Sequence, residues 1–295
     1  MKTGKSFSIW GIRGSLLGDC VGALTVLNSL EQLYPGSFRF WQVARKCAHI
    51  SPLFIDHPLI DRIVISDCDE GMGPRDWEIA KTCDIVFDVM PQHPCEHDYP
   101  NHRSFYHETF IMSGLGDEHY FALPPEQRLP KLVKWFRPEA RLTAKKHIVA
   151  MWPQAGYGKE PKRSPDQAWY QSFVDDLIAR GYDIVQFGHP ADFELKGVCR
   201  RTHIDFFQQV RETLSCDLVI STDSGSGLIF AAYEHPQITL TAPHWPGHVK
   251  NLDALAPQNR NGHVFLDPRG ASHISQSDVV SKVNEMLSGL TGVGK

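Results

Sequence analysis

The sequence predicts an α/β protein built from two open sheets of parallel strands, one in each half of the chain. Short apolar runs alternate with segments of helical periodicity, first from Phe7 to Val89 and again from His147 to Leu240. Glycine-bearing loops follow the strand that opens each half. A polar, proline-interrupted stretch without a clear period separates the two series. The 295 residues suit two domains of about 140 residues, each large enough to bury a core without metals or disulfides. The boundaries expected are 1–140 and 141–295, with the last helix free to pack back on the first domain.

In the first half, Phe7 to Ile12 reads as a strand and Arg13 to Gly18 as a turn, and Asp19 takes the place of a helix N-cap. Leu24, Leu27, Leu30 and Leu33 recur at near-helical spacing until Pro35-Gly36 stops the helix. Phe38 to Val43 is a buried strand, followed by a short helix, then by strands at Ile60 to Ile65 and Asp84 to Val89. Pro91 to Arg103, with three prolines and three histidines, reads as a loop, and Ser104 to Ser113 as a helix.

The second half restarts with a strand at Ile148 to Trp152 and a glycine-containing loop from Pro153 to Lys162. Ser164 as N-cap, Pro165 at the first helical position and Gln167 closing a capping box announce the next helix. Its buried stripe is Trp169, Phe173 and Leu177 with Tyr170, Val174 and Ile178, and Gly181 ends it. Tyr182 to Phe187 is a strand, Asp205 to Leu214 a helix and Leu218 to Thr222 a strand. Gly227 to Tyr233 is a helix, Gln237 to Leu240 a strand, and Ser277 to Leu290 an amphipathic helix.

A net charge of −4 gives no general attraction to nucleic acid, and the basic stretch from Lys131 to Lys146 reads as a solvated face. The apolar run after Lys5 is too short for a signal peptide, and no run reaches the roughly 20 apolar residues of a membrane span. Seven cysteines form no CxxC pair, which suits a reducing compartment and makes the cytoplasm the expected location.

Open parallel sheets bind ligands at the carboxyl ends of their strands. At Ile220 to Gly227, small residues leave an apolar strand and enter an alanine-rich helix. Successive N–H groups at a helix amino end there suit a diphosphate, with the hydroxyls of Ser224 and Ser226 as further donors. A rival reading makes Ser224 or Ser226 a nucleophile, with Asp253 or Asp267 and His263 or His273 as partners. Thr222, however, breaks the G-x-S-x-G pattern. The loop Gln154 to Arg163 sets Lys159, Lys162 and Arg163 before a helix, where phosphate is favoured. Asp19, after Gly18, could take a proton from a sugar hydroxyl. His93, Cys95 and His97 alternate like metal ligands, but no fourth ligand accompanies them.

Taken in order, these pieces resemble the heptosyltransferase-like family, family nine of the glycosyltransferases. The resemblance is carried by Gly18-Asp19 with Ala23 to Leu30, by His57 to Ile63, by Lys162 to Pro165, by Gly188-His189-Pro190, and by Ser221 to Gly225 with Ala231, Ala232 and Pro236. It implies a GT-B architecture, two Rossmann-like domains with parallel sheets facing across a cleft and the donor bound mainly to the second. It also implies an inverting, metal-independent transfer of sugar from a nucleoside-diphosphate sugar, with no cofactor beyond that co-substrate. By position, Asp19 would be the base and Lys162 and Arg163 would neutralise phosphate. Asp223, Ser224, Gly225 and Ser226 would hold the diphosphate, and Gly188 with Asp192 or Glu194 would reach the donor ribose. The acceptor implied is a glycan, a lipid-linked glycan or another hydroxyl compound, with the enzyme cytoplasmic or peripheral at the inner membrane face. Two departures stand out: Leu228 lies where the family has a histidine, and Ser164 where a tryptophan is common. The competing expectations are a sugar-nucleotide isomerase of the 2-epimerase type and a nucleotide-sugar-binding protein without turnover.

Overall fold

The computed structural model describes residues 6–10, 17–69, 72–88, 107, 110, 111, 113–133, 146–154, 163–243 and 259–291. The chain divides into two compact units, Met1–Trp135 with Asp253–Leu255, and Phe136–Leu252 with Ala256–Lys295.

Among its described residues the first unit holds four parallel strands, β1 (Ser6–Trp10), β2 (Phe38–Val43), β3 (Arg62–Ile65) and β4 (Ile85–Asp88), in the order β3-β2-β1-β4. The helix expected after β1 is two helices, α1 (Leu17–Gly22) and α2 (Thr25–Leu33). At the break the backbone bonds reach back three residues, from Leu24 to Val21, Val26 to Ala23 and Leu27 to Leu24, and the Thr25 hydroxyl donates to Gly22. That tighter turn keeps Cys20, Val21, Leu24, Leu27 and Leu30 buried, while Leu33 is left exposed. Asp19 therefore lies inside α1 rather than at its N-cap, a correction to the sequence reading. The short helix expected after β2 is a 3₁₀ segment, Arg45–Phe54, which contains Pro52. Helices α3 (Pro74–Ala80) and α4 (Gly116–Ala122) were not anticipated.

Among its described residues the second unit holds six parallel strands in the order β10-β9-β8-β5-β6-β7. They are β5 (Ile148–Trp152), β6 (Asp183–Gln186), β7 (Cys199–Arg200), β8 (Leu218–Thr222), β9 (Gln237–Thr241) and β10 (Gly262–Leu266). Strand β8 is buried at every position, as a central strand covered on both faces must be, so its sequence is a continuous run rather than an alternation. Between the strands run α5 (Gln167–Ala179), α6 (Phe206–Thr213) and α7 (Gly225–Ala232), and α8 (Gln276–Thr291) comes last. Trp169, Tyr170, Phe173, Val174 and Leu177 of α5 share one core with Val279, Val280, Val283 and Leu287 of α8. The last helix thus buries its apolar face in the second unit, and the Tyr182 hydroxyl fixes it by donating to Asn284.

Helix α5 begins two residues later than its sequence signals suggest. Asp166, not Ser164, is the N-cap, its carboxylate accepting from the Trp169 N–H at 2.8 Å. The Asp166 N–H donates to Ser272 of the turn after β10, a long-range bond that selects this register over the capping box.

His57 ties the first sheet to the chain beyond it. Its Nε2 lies 3.1 Å from the Lys131 carbonyl and its Nδ1 accepts from the Leu59 N–H at 3.2 Å. The ring must then be neutral, with its proton on Nε2, and burial lowers its pKa from the ordinary 6.5 despite the Lys131 carbonyl. A depressed pKa in the folded state gives stability that is whole above pH 6.5 and is lost as pH falls through the folded value. Thermal unfolding between pH 7.5 and 5 should show this loss, and His57→Gln should flatten it. At α5, Asp166→Ala should cost about 1 kcal/mol in denaturant unfolding.

Candidate functional site

The strand order of the second unit reverses between β5 and β8. The chain winds outward from β5 through β6 and β7, then returns to β8 and winds the other way through β9 and β10. The loops leaving β5 and β8 therefore part to opposite faces, and the crevice between them is where open α/β sheets take ligands. Arg163 of the basic loop and the serine-glycine segment fall at this one position.

After β8 the chain turns at Asp223 and enters α7, with Ser224 as N-cap. The Ser224 hydroxyl lies 2.9 Å from that of Ser226, 3.3 Å from the Thr222 carbonyl and 3.4 Å from the Gly227 N–H. Asp223 is 3% exposed, and its Oδ2 lies 3.6 Å from Nη2 of Arg163, which comes from the loop before α5. The two chain segments flanking the crevice are thus joined by a largely desolvated ion pair. Arg163 lends charge to Asp223 as well as to the crevice. Lys162, Lys159 and the rest of 155–162 lie outside the described residues.

A side chain at Gly227 could not be accommodated, because a Cβ there would sit 2.8 Å from the Thr222 carbonyl and 3.2 Å from the Ser221 hydroxyl. The first turn of α7 rests directly on the end of β8. From Ser226 to Ala232, Leu228 included, the helix is buried. Leu228 therefore packs in the core.

Gly188, Asp192 and Glu194 form the loop after β6. Gly188 has φ +128°, and a Cβ on it would meet Asp192 Oδ2 at 2.3 Å, so only glycine fits. That carboxylate accepts from the His189 N–H at 2.8 Å, and burial raises its pKa against the opposing help of that bond. Asp192 is thus occupied in closing the turn. Glu194 is exposed, with Arg200 at 3.7 Å. Arg200 also donates to the carbonyls of Pro190 and Asp192, which braces the loop from β7.

Asp19 sits in α1, the helix that follows β1. In the order β3-β2-β1-β4 the reversal falls between β1 and β4, so this helix starts at the equivalent crevice of the first sheet.

The hydrolase reading finds no support among the described residues. The serine hydroxyls bond to each other and to backbone, and Asp267 is bound to Arg269, which holds its carboxyl near about 2. His93, Cys95, His97 and Asp253 lie outside the described residues, among which no group of three or more His, Cys, Asp or Glu is placed to hold a metal ion. No described helix is long and apolar enough to cross a membrane.

Sequence reasoning missed the residues behind the loop. Gln237, at the start of β9, is 1% exposed and donates through Nε2 to the Ser221 hydroxyl at 3.0 Å and the Gly227 carbonyl at 3.1 Å. Asn259 donates to its Oε1 at 3.0 Å. Gln237 opens β9, in which Thr239 and Thr241 are polar as well, so the sequence does not single it out.

Two successive parallel sheets, the second with Rossmann strand order and a glycine-serine helix entry at its switch point, define the GT-B class of nucleotide-dependent transferases. A family model described as glycosyltransferase family 9 (heptosyltransferase) matches residues 118–276, and the chain belongs to that family. It is 26% identical over 196 residues to lipooligosaccharide heptosyltransferase 2 of Haemophilus influenzae, a match covering 57% of this chain. That match spans about half, 55%, of the length of the curated relative. In fold the chain is similar to E. coli ADP-heptose lipopolysaccharide heptosyltransferase II, with a TM-score of 0.72, 17% identity and coverage of 97% and 99% of the two chains. It is similar also to a family 9 glycosyl transferase of Veillonella parvula, with a TM-score of 0.68, 14% identity and coverage of 98% and 99%. An E. coli heptosyltransferase solved with ADP gives a TM-score of 0.60 at 15% identity, over 95% and 99% of the two chains. The family match does not favour the isomerase or non-catalytic readings.

Gly227→Ala should lower the unfolding free energy by about 1–3 kcal/mol in a denaturant titration, because the added methyl must push α7 off β8. The higher helix propensity of alanine would give the opposite sign if that contact were soft.

Proposed function

We propose that the chain transfers a sugar from a nucleoside-diphosphate sugar to an acceptor hydroxyl, with inversion and without a metal ion. The reading is carried by the serine-glycine entry to α7 at the switch point of the second sheet, with Arg163 across the crevice. A leaving diphosphate develops charge as its bond to the anomeric carbon breaks. Fixed N–H donors and cations stabilise that charge more than they stabilise the ground state.

In this scheme the acceptor oxygen attacks the anomeric carbon from the face opposite the diphosphate, and the carbon–oxygen bond to phosphate breaks as the new one forms. Asp19 receives the acceptor's proton. The amino end of α7, with Ser224, Gly225 and Ser226, holds the diphosphate, and Lys162 and Arg163 neutralise it. Asp223, paired with Arg163, belongs to the same diphosphate-holding loop. Gly188 borders the nucleoside, and Asp192 or Glu194 reaches the donor ribose, Asp192 through the oxygen its turn-closing bond leaves over.

The relatives' names specify ADP-heptose and lipopolysaccharide or lipooligosaccharide, which makes ADP-heptose the first donor to try and a lipid-linked glycan the first acceptor. Work on such an acceptor would bring the protein to the inner membrane face as a peripheral enzyme. Transfer from a panel of nucleotide sugars, followed by mass spectrometry with EDTA present, tests the proposal. Absence of transfer, of donor hydrolysis and of calorimetric nucleoside-diphosphate binding would overturn it. Asp19→Ala should abolish transfer while leaving nucleotide affinity within a few-fold. Lys162→Ala should weaken the donor complex by about 1.5–3 kcal/mol, the worth of a charged hydrogen bond to phosphate.

A further inference from the structure

We infer that Gln237, with Asn259 behind it, is a positioning residue that sets the amino end of α7 for diphosphate; the inference rests on the reading of that loop just given. The Gln237 amide is used at both ends. Its Nε2 donates to the Ser221 hydroxyl, two residues before Asp223, and to the Gly227 carbonyl in the first turn of α7. Its Oε1 accepts from Asn259, whose Nδ2 also donates to the His235 carbonyl at 2.7 Å. One planar group thereby fixes the end of β8 and the start of α7 at a common distance from β9.

The same first turn is the place where Gly227 lies against the Thr222 carbonyl, with Gln237 Nε2 at 3.4 Å from where a Cβ would be. Glycine permits this approach but does not enforce it, since a bare backbone can slide. The amide supplies the enforcement. A displacement of the N–H groups by about 1 Å is enough to lose most of an oriented interaction.

The chemistry demands an amide. A carboxylate at 237 would face the Gly227 carbonyl with no proton to give, whereas the protonated acid can donate there and still accept from Asn259. Gln237→Glu should therefore bind ADP more weakly than wild type at pH 8 and recover toward wild type as pH falls to 5.5. Gln237→Leu should raise the dissociation constant for ADP about tenfold or more at all pH values. Asn259→Ala, at a partly exposed position, should raise it by less.

Calorimetry of the full chain with ADP, beside circular dichroism melts, reads all three. Wild-type affinity in folded Gln237→Glu at pH 8 and in Asn259→Ala would overturn the inference while leaving the functional reading intact. Weakened binding in Gln237→Glu without any relative recovery at low pH would also overturn it, because a merely structural loss has no reason to follow that proton. Failure of wild type to bind ADP or any other nucleoside diphosphate would remove both.

Discussion

The direction of winding about β5 and β8 is the constraint on which the second unit depends. Parallel strands need crossover connections of one hand, so a sheet that grows outward from its middle must send its two central loops to opposite faces. The gap this leaves at the strand ends follows from connectivity. Every charged or polar candidate in that unit gains meaning from its distance to it. Arg163 and Asp223, 60 positions apart in sequence, meet as an ion pair only because their strands are neighbours.

The core gives that geometry its rigidity. Strand β8 is buried throughout, and α7 is buried from Ser226 to Ala232, so both elements that flank the Asp223–Ser224 turn are anchored in the core. A parallel central strand has no wet face on which a polar alternation could be written, and its apolar run is legible for that reason. Leu218 to Thr222 reads from sequence with its correct limits. Edge strands carry no such signature: β7 has two residues, and β10 is half-exposed at every position.

Helix starts show where local signals give out. Ser164 and Asp166 are both good caps around Pro165, and the sequence alone favours the first. The bond from Asp166 to Ser272, more than a hundred residues on, decides for the second. The break between α1 and α2 is likewise hidden, because the leucine spacing suits a continuous helix and the three-residue bonds appear only once both segments pack. In the site, the loop residues are legible because their small size and hydroxyls are unusual after an apolar strand. Gln237 is not, since its partners lie 10, 16 and 22 positions away and a glutamine at a strand boundary looks ordinary.

From Ser226 to Ala232 helix α7 is buried, and only its amino end, at Ser224 and Gly225, is partly open to water. Its partial positive charge is therefore offered in a single direction, beside the Ser224 and Ser226 hydroxyls and the Arg163–Asp223 pair. A charged group can then meet this helix only end-on, because its flanks are packed within the protein.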